Sequence, residues 1–170
     1  QFTVRKQLSI VLHAARSENR AMPHILLSGP PGLGKTTLAQ AVANDYGSKL
    51  VIANGASITK PVDIVKYAIK MKPNDILFID EVHALSSKLQ ENLYTIMEDF
   101  RIDLPDTCYS KCLSSFTLIG ATTHDGTLNK PLYDRFVYKF QLEYYSEREI
   151  ACMLKYADKC KFTDRDYILI

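Results

Sequence analysis

The sequence has no stretch of about 18 uninterrupted apolar residues, which excludes a helical membrane span. No basic segment followed by an apolar one opens the chain, so no secretory signal peptide is expected. Neither sign of charge is in excess: 21 Lys and Arg stand against 19 Asp and Glu, a net charge of +2. That balance leaves no broad electrostatic footprint for nucleic acid, though a local basic patch is compatible with it. Internal repeats and low-complexity segments are absent. Cysteine is scarce. Cys108, Cys112, Cys152 and Cys160 are the only four. The first pair is spaced C-x-x-x-C, and neither pair has a His at zinc-finger distance. Reduced thiols in a cytosolic protein fit that pattern better than a metal site. What remains is ordinary: 46% hydrophobic and 24% charged residues in a chain of 170. Disordered, collagen-like and disulfide-scaffold classes are thereby excluded. The length suits one domain or one and a fraction, and folding would hide roughly 70% of the unfolded surface. The first residue is Gln1 and not Met, so an upstream start is expected.

Helical and strand patterns alternate, which predicts an α/β fold with a mainly parallel sheet. Val4, Leu8, Val11, Leu12 and Ala15 share one helical face. His24 to Ser28 reads as a buried strand entered at Pro23, and Gly29 to Gly34 as a loop. Lys35 to Tyr46 reads as a helix with Leu38, Ala41 and Val42 inward and Gly47 at its stop. Leu50 to Ala53 is a second strand. Pro61 opens a helix with Val62, Val65, Ala68 and Ile69 on one side. Asp75 to Asp80 is a third strand. Ser87 and Gln90 resemble a capping box for a helix striped by Leu89, Leu93, Ile96 and Phe100. Residues 101–115 suit a hairpin turning at Pro105-Asp106, with Ile102, Leu104, Tyr109 and Leu113 along its arms. Phe116 to Ala121 and Val137 to Phe140 are the fourth and fifth strands. Ser146 and Glu149 form another capping box, with Ile150, Met153, Leu154 and Ala157 facing inward behind it. His13 and His24 read as surface or strand-end residues.

The strongest local signal is Gly29-Pro30-Pro31-Gly32-Leu33-Gly34-Lys35-Thr36, a G-x-x-x-x-G-K-[ST] match between a strand and a helix. Its glycines let the backbone curl so that several N–H groups converge. The following helix aims its positive dipole end at the same place. Lys35 adds a point charge for β- and γ-phosphates. Thr36 offers a hydroxyl to Mg²⁺, which favours a few oxygens plus phosphate.

Ile76-Leu77-Phe78-Ile79 ends in Asp80-Glu81. Adjacent carboxylates at the end of a buried strand are costly without positive charge nearby, and nucleotide-bound Mg²⁺ supplies it. Asp80 is expected to hold that ion and Glu81 to polarise the attacking water. His83, alone, reads as a structural hydrogen-bonder. The fourth strand ends in Thr122-Thr123. Thr123 is expected to face the γ-phosphate, with Thr122 the alternative, and ordinary strand-end bonding explains the pair equally well. Spacing alone leaves Arg135, beside Phe136, an ordinary surface arginine.

These segments together resemble the AAA+ ATPases, and within them most closely the RuvB family of Holliday-junction branch-migration motors. The first two motifs are shared widely among AAA+ proteins. Met97 to Phe100, Phe116 to Thr123 and Pro131 to Phe136 are more specific to RuvB. The resemblance implies a P-loop large domain over 1–145, with sheet order 5-1-4-3-2 and helices on both faces, and a lid domain begun over 146–170. It implies ATP and Mg²⁺, with Gly29, Pro30, Pro31, Gly32, Leu33, Gly34, Lys35, Thr36 and Thr37 as the nucleotide loop. Thr36 and Asp80 would be the metal residues, Asp80 and Glu81 the Walker B acids, and Thr123 the sensor. Arg135 matches the finger that reaches a neighbouring subunit's nucleotide, typically worth about 10³–10⁵ in rate. A cytoplasmic homo-oligomeric ring, a hexamer, follows. DNA contacts lie beyond Ile170, and a RuvA-like partner would dock on the 101–115 hairpin. Three departures stand out: Tyr133 and His124 replace basic residues, and the hairpin is shorter. The chain is expected to be a fragment or a reduced relative. The competing expectation is a non-motor AAA+ switch, such as a clamp-loader-like assembly subunit.

Overall fold

The computed structural model describes residues 1–104 and 109–157. Five strands form one parallel sheet: β1 (Ile25–Ser28), β2 (Leu50–Asn54), β3 (Ile76–Asp80), β6 (Thr117–Thr122) and β7 (Tyr138–Gln141). Their order is β2-β3-β6-β1-β7. Counting only the strands of this sheet and reading from the β7 edge, that is 5-1-4-3-2. A separate antiparallel hairpin pairs β4 (Arg101–Leu104) with β5 (Tyr109–Cys112). Its turn, including Pro105, Asp106 and Cys108, lies outside the described residues, as does Cys160.

The central strands are apolar on both faces because helices cover both. Side chains alternate along each strand and feed two cores. Leu26, Leu77, Ile79 and Leu118 join the core under α3 (Pro61–Ala68), α4 (Ser87–Asp99) and α5 (Lys130–Arg135). Ile25, Leu27, Ile76, Phe78, Ile119 and Ala121 join the opposite one, under α1 (Phe2–Ser17) and α2 (Lys35–Tyr46). The stripe expected on α1 is in place, with Val4, Leu8, Val11 and Ala15 buried.

Some expected faces are rotated. On α2 the buried residues include Ala39, Val42 and Ala43, while Ala41 is exposed. On α3 they are Ile64, Val65 and Ala68, while Val62 and Ile69 are exposed. Apolar residues at five of its eight positions (Val62, Ile64, Val65, Tyr67 and Ala68) leave so short a helix with two plausible phases, and contact with the sheet decides between them. Gln90 is no capping residue. It is buried, its amide donates to the Leu85 carbonyl at 3.0 Å, and its Oε1 accepts the Asn129 amide at 2.8 Å. It therefore ties α4 to the start of α5. Ser146 and Glu149 do cap α6 (Glu147–Ala157): the Ser146 amide and hydroxyl donate to Glu149 Oε2 at 2.9 and 3.0 Å. Ile150, Met153 and Leu154 on that helix are exposed rather than inward-facing.

His24 also departs from expectation. It is buried at the entry to β1, against Phe100 and Phe116. The Leu118 amide donates to its Nδ1 at 2.9 Å, so that nitrogen carries no proton. Its Nε2 then carries the hydrogen and donates to the Met97 carbonyl at 3.3 Å. Burial pushes its pKa down to about 4, with the Arg135 guanidinium adding to the depression and the Met97 carbonyl opposing it. A depressed histidine destabilises the fold as pH falls, because the unfolded chain takes up the proton first. Its contribution is complete above pH ~6.5 and is lost between there and pH ~4, about 3 kcal/mol in all. Urea unfolding at pH 6.5 and pH 5 should show a drop that His24→Gln largely removes. An identical drop in both proteins would contradict this assignment.

Candidate functional site: a phosphate loop facing a clamped carboxylate

The carboxyl ends of β1, β6 and β3 lie side by side, with Ser28 opposite Thr122 and Ile79 opposite Gly120. In a parallel sheet this edge is where ligands bind. Gly29 leaves β1 with φ of 141°, and a Cβ there would lie 2.4 Å from the Leu142 carbonyl oxygen. Only glycine lets the loop start so close to the end of β7. Gly34 caps α2 in the left-handed region at φ of 80°. No side chain caps that helix and no acid stands in its first turn. Its leading amides therefore suit an external anion.

Lys35 is buried, and its ammonium donates to the carbonyls of Gly29 at 2.8 Å and Pro30 at 3.0 Å. An ammonium has three N–H donors, so one remains for a ligand oxygen. Thr36 and Thr37 are exposed on the first turn of α2. Leu33 is buried, and its carbonyl accepts the Tyr145 hydroxyl at 2.8 Å, which pins the loop from the far side of β7. Nothing in the sequence singled out Tyr145, because the bond joins residues 112 positions apart.

Asp80 closes β3, half-buried, with its Oδ1 accepting the Glu81 amide at 3.1 Å. Glu81 itself sits in the left-handed region, at φ 50° and ψ 49°. That conformation costs about 1–3 kcal/mol for a residue other than glycine, and such strain gathers at functional positions. Gly55 permits it: a Cβ there would lie 2.4 Å from the Glu81 carbonyl oxygen. The Glu81 carboxylate is held from β6 and from its own turn. Thr123 Oγ1 donates to Oε2 at 3.2 Å, and His83 Nδ1 lies 3.1 Å from the same oxygen. Thr122 is wholly buried. Its hydroxyl lies 2.9 Å from His83 Nδ1 and accepts the His124 amide at 3.0 Å. Of the two threonines, then, Thr123 faces the open space and Thr122 does not.

Gly29, Pro30, Pro31, Glu81, Thr123 and His124 line a cleft of about 600 Å³. The glycine-rich loop, the Asp80-Glu81 pair and Thr123 are thus brought to one edge. Arg135 is not among the cleft's lining residues. It ends α5, where Nη1 pairs with Glu98 Oε2 at 2.5 Å and Nη2 donates to the Met97 carbonyl at 3.4 Å. Its Nε is buried with no hydrogen-bond partner among the described residues. The donor set fits a nucleotide with its cation: uncapped amides and an ammonium for phosphate, an exposed hydroxyl at Thr36 and a half-buried carboxylate at Asp80 for Mg²⁺. Among the described residues no group of three or more His, Cys, Asp or Glu could hold a metal by itself. Cys112 and Cys152 are free thiols.

A five-stranded parallel sheet in this order, with this loop after β1 and acids after β3, defines a P-loop domain of the AAA+ type. Comparison with known proteins narrows the class. The family described as Holliday junction DNA helicase RuvB P-loop domain matches residues 1–142, and the chain belongs to that family. A point mutant of Thermotoga maritima RuvB aligns at TM-score 0.86 and 38% identity, over 92% of this chain and 50% of that one. The T. maritima RuvB Holliday junction branch migration motor aligns at TM-score 0.84 and 38% identity, over 94% and 50%. NtrX from Brucella abortus, in complex with ADP, shares the fold alone, at TM-score 0.67 and 20% identity over 91% and 39%. This chain spans about half the length of the RuvB relatives it matches.

Proposed function

We propose that this chain is the ATP-binding and ATP-hydrolysing core of a RuvB-like motor that drives branch migration of DNA junctions in recombination and repair. The observation that carries the reading is the Glu81 carboxylate, held by Thr123 at 3.2 Å on the wall of the cleft that the phosphate loop also lines. In this reading Gly29 to Thr37 bind ATP, and Lys35 neutralises its β- and γ-phosphates. Thr36 and Asp80 hold Mg²⁺, which when bound offsets phosphate charge. Thr123 orients the γ-phosphate, and Glu81 takes the proton of the attacking water. Residues 1–145 form the large domain, and 146–170 begin a lid. The working protein is a cytoplasmic ring of identical subunits. Its DNA contacts lie outside this chain, and the β4–β5 hairpin faces a RuvA-like partner.

Arg135 completes a neighbour's site in this reading. Its pairing with Glu98 supports the role, because a partly exposed ion pair is worth only about 0–1 kcal/mol and is readily exchanged for a phosphate. Mixing decides the matter. Arg135→Ala and Glu81→Gln forms of the intact gene product should each be nearly inactive, the former by about 10³-fold or more. Mixed, they should regain hydrolysis, since the Glu81→Gln subunit lends its arginine to a site with an intact acid. No recovery would overturn the trans assignment. Hydrolysis without movement of a synthetic four-way junction would favour the switch over the motor.

A further inference from the structure

We propose that His83 is a positioning residue for hydrolysis: it holds the Glu81 carboxylate in place when Thr123 turns to the nucleotide. This role rests on the hydrolytic reading of the cleft and adds a residue to it. The geometry is a two-point clamp. Glu81 Oε2 accepts from Thr123 Oγ1 at 3.2 Å and lies 3.1 Å from His83 Nδ1. A carboxylate oxygen at that distance places a proton on Nδ1, because a lone pair there would face negative charge; the hydrogen bond of that nitrogen runs to Thr122, and its hold on Glu81 is electrostatic. The same Nδ1 lies 2.9 Å from Thr122 Oγ1, whose oxygen is fixed by the His124 amide at 3.0 Å. Thr123, just past β6, therefore reaches the carboxylate directly, while Thr122 at the end of β6 anchors the imidazole beside it. The His124 ring packs edge-on against His83 at 5.3 Å and closes its outer side.

A hydroxyl has one proton to donate. Thr123 can spend it on Glu81, as here, or on a γ-phosphate oxygen, but not fully on both. Once nucleotide claims Thr123, the clamp loses one of its points. His83 stays beside the carboxylate as the other, because its ring is anchored by the bond to buried Thr122. A carboxylate free to swing by about 1 Å costs on the order of 10²-fold in rate, so the second hold matters to turnover and not to binding.

Steady-state hydrolysis and calorimetric Mg·ATP affinity, measured on the intact gene product, test this. His83→Ala should lower kcat by about 10–100-fold with Mg·ATP affinity within about twofold of the unaltered protein. His83→Asn places an amide N–H near the position of Nδ1 and should recover kcat to within about fivefold. In a Glu81→Gln background, His83→Ala should add nothing. Unchanged kcat in His83→Ala overturns the proposal. So does an Asn variant as slow as the Ala variant, which would mark the ring as packing alone, and so does a further loss in the Glu81→Gln background. Absence of hydrolysis in the unaltered protein would instead remove the hydrolytic reading itself, and this role with it.

Discussion

Glu81→Gln is expected to bind Mg·ATP as tightly as the unaltered protein and to turn it over about 10²–10⁴-fold more slowly, the range a positioned general base contributes. The amide has the shape of the acid, and its oxygen can still accept the Thr123 hydroxyl now 3.2 Å away. What it cannot do is take a proton from water. The phosphate loop is untouched, because among the described residues no hydrogen bond joins Glu81 to it and the Lys35 ammonium bonds its own loop carbonyls. Folding should be little affected, since Glu81 is half-exposed and its strained backbone is set by the Gly55 approach rather than by its charge. Calorimetry and steady-state hydrolysis on the same preparation separate the two effects. Equal turnover in both proteins would leave Glu81 without a chemical role and return it to being a solvated turn residue.

The parts of the site that lie within one short segment were readable from the sequence. Glycine spacing, a lysine and a threonine at the mouth of a helix encode the phosphate loop locally. So does an apolar run that breaks into two acids. The five strands were readable for the same reason, being short apolar runs between polar turns. What escaped notice depends on residues far apart in the chain. His24 looked like a strand-end residue because a lone histidine carries no sign of the Leu118 amide, 94 positions away, that fixes its tautomer and keeps it neutral. Thr123 was preferred over Thr122 from the sequence, but its bond to Glu81, 42 positions away, becomes visible only with β6 beside β3. His83 looked structural, and its bond to Thr122 is structural. Only the second distance, to Glu81, gives it further meaning. The Ser87-Gln90 spacing suggested a cap, yet burial turned Gln90 into a bridge to Asn129. Helices α2 and α3 misled for a different reason: small apolar residues such as Ala39, Ala41 and Ala43, or Val62 and Val65, fall on more than one face, and packing chooses.

Lys35→Met should reduce Mg·ATP affinity by about 10²-fold, because a charged hydrogen bond worth about 1.5–3 kcal/mol disappears from beneath a loop whose cleft has no lysine or arginine among its lining residues. The choice of methionine matters. Lys35 is only 7% exposed, and its aliphatic stem fills space beneath the loop, so an unbranched apolar chain keeps the packing while removing the charge. The Gly29 and Pro30 carbonyls lose their donor, but both residues line the open cleft, where water can replace it. The thermal midpoint should therefore move little while binding collapses. Lys35→Arg should fail almost as badly despite keeping the charge, since a planar guanidinium cannot bond two loop carbonyls at 2.8 and 3.0 Å and still present a point charge to phosphate in the same space. Mg·ATP uptake by Lys35→Met equal to that of the unaltered protein, in calorimetry at millimolar nucleotide, would mean that triphosphate does not bind through this loop. The acid pair, the sensor threonine and the histidine behind them would then lose the substrate their arrangement is read to serve.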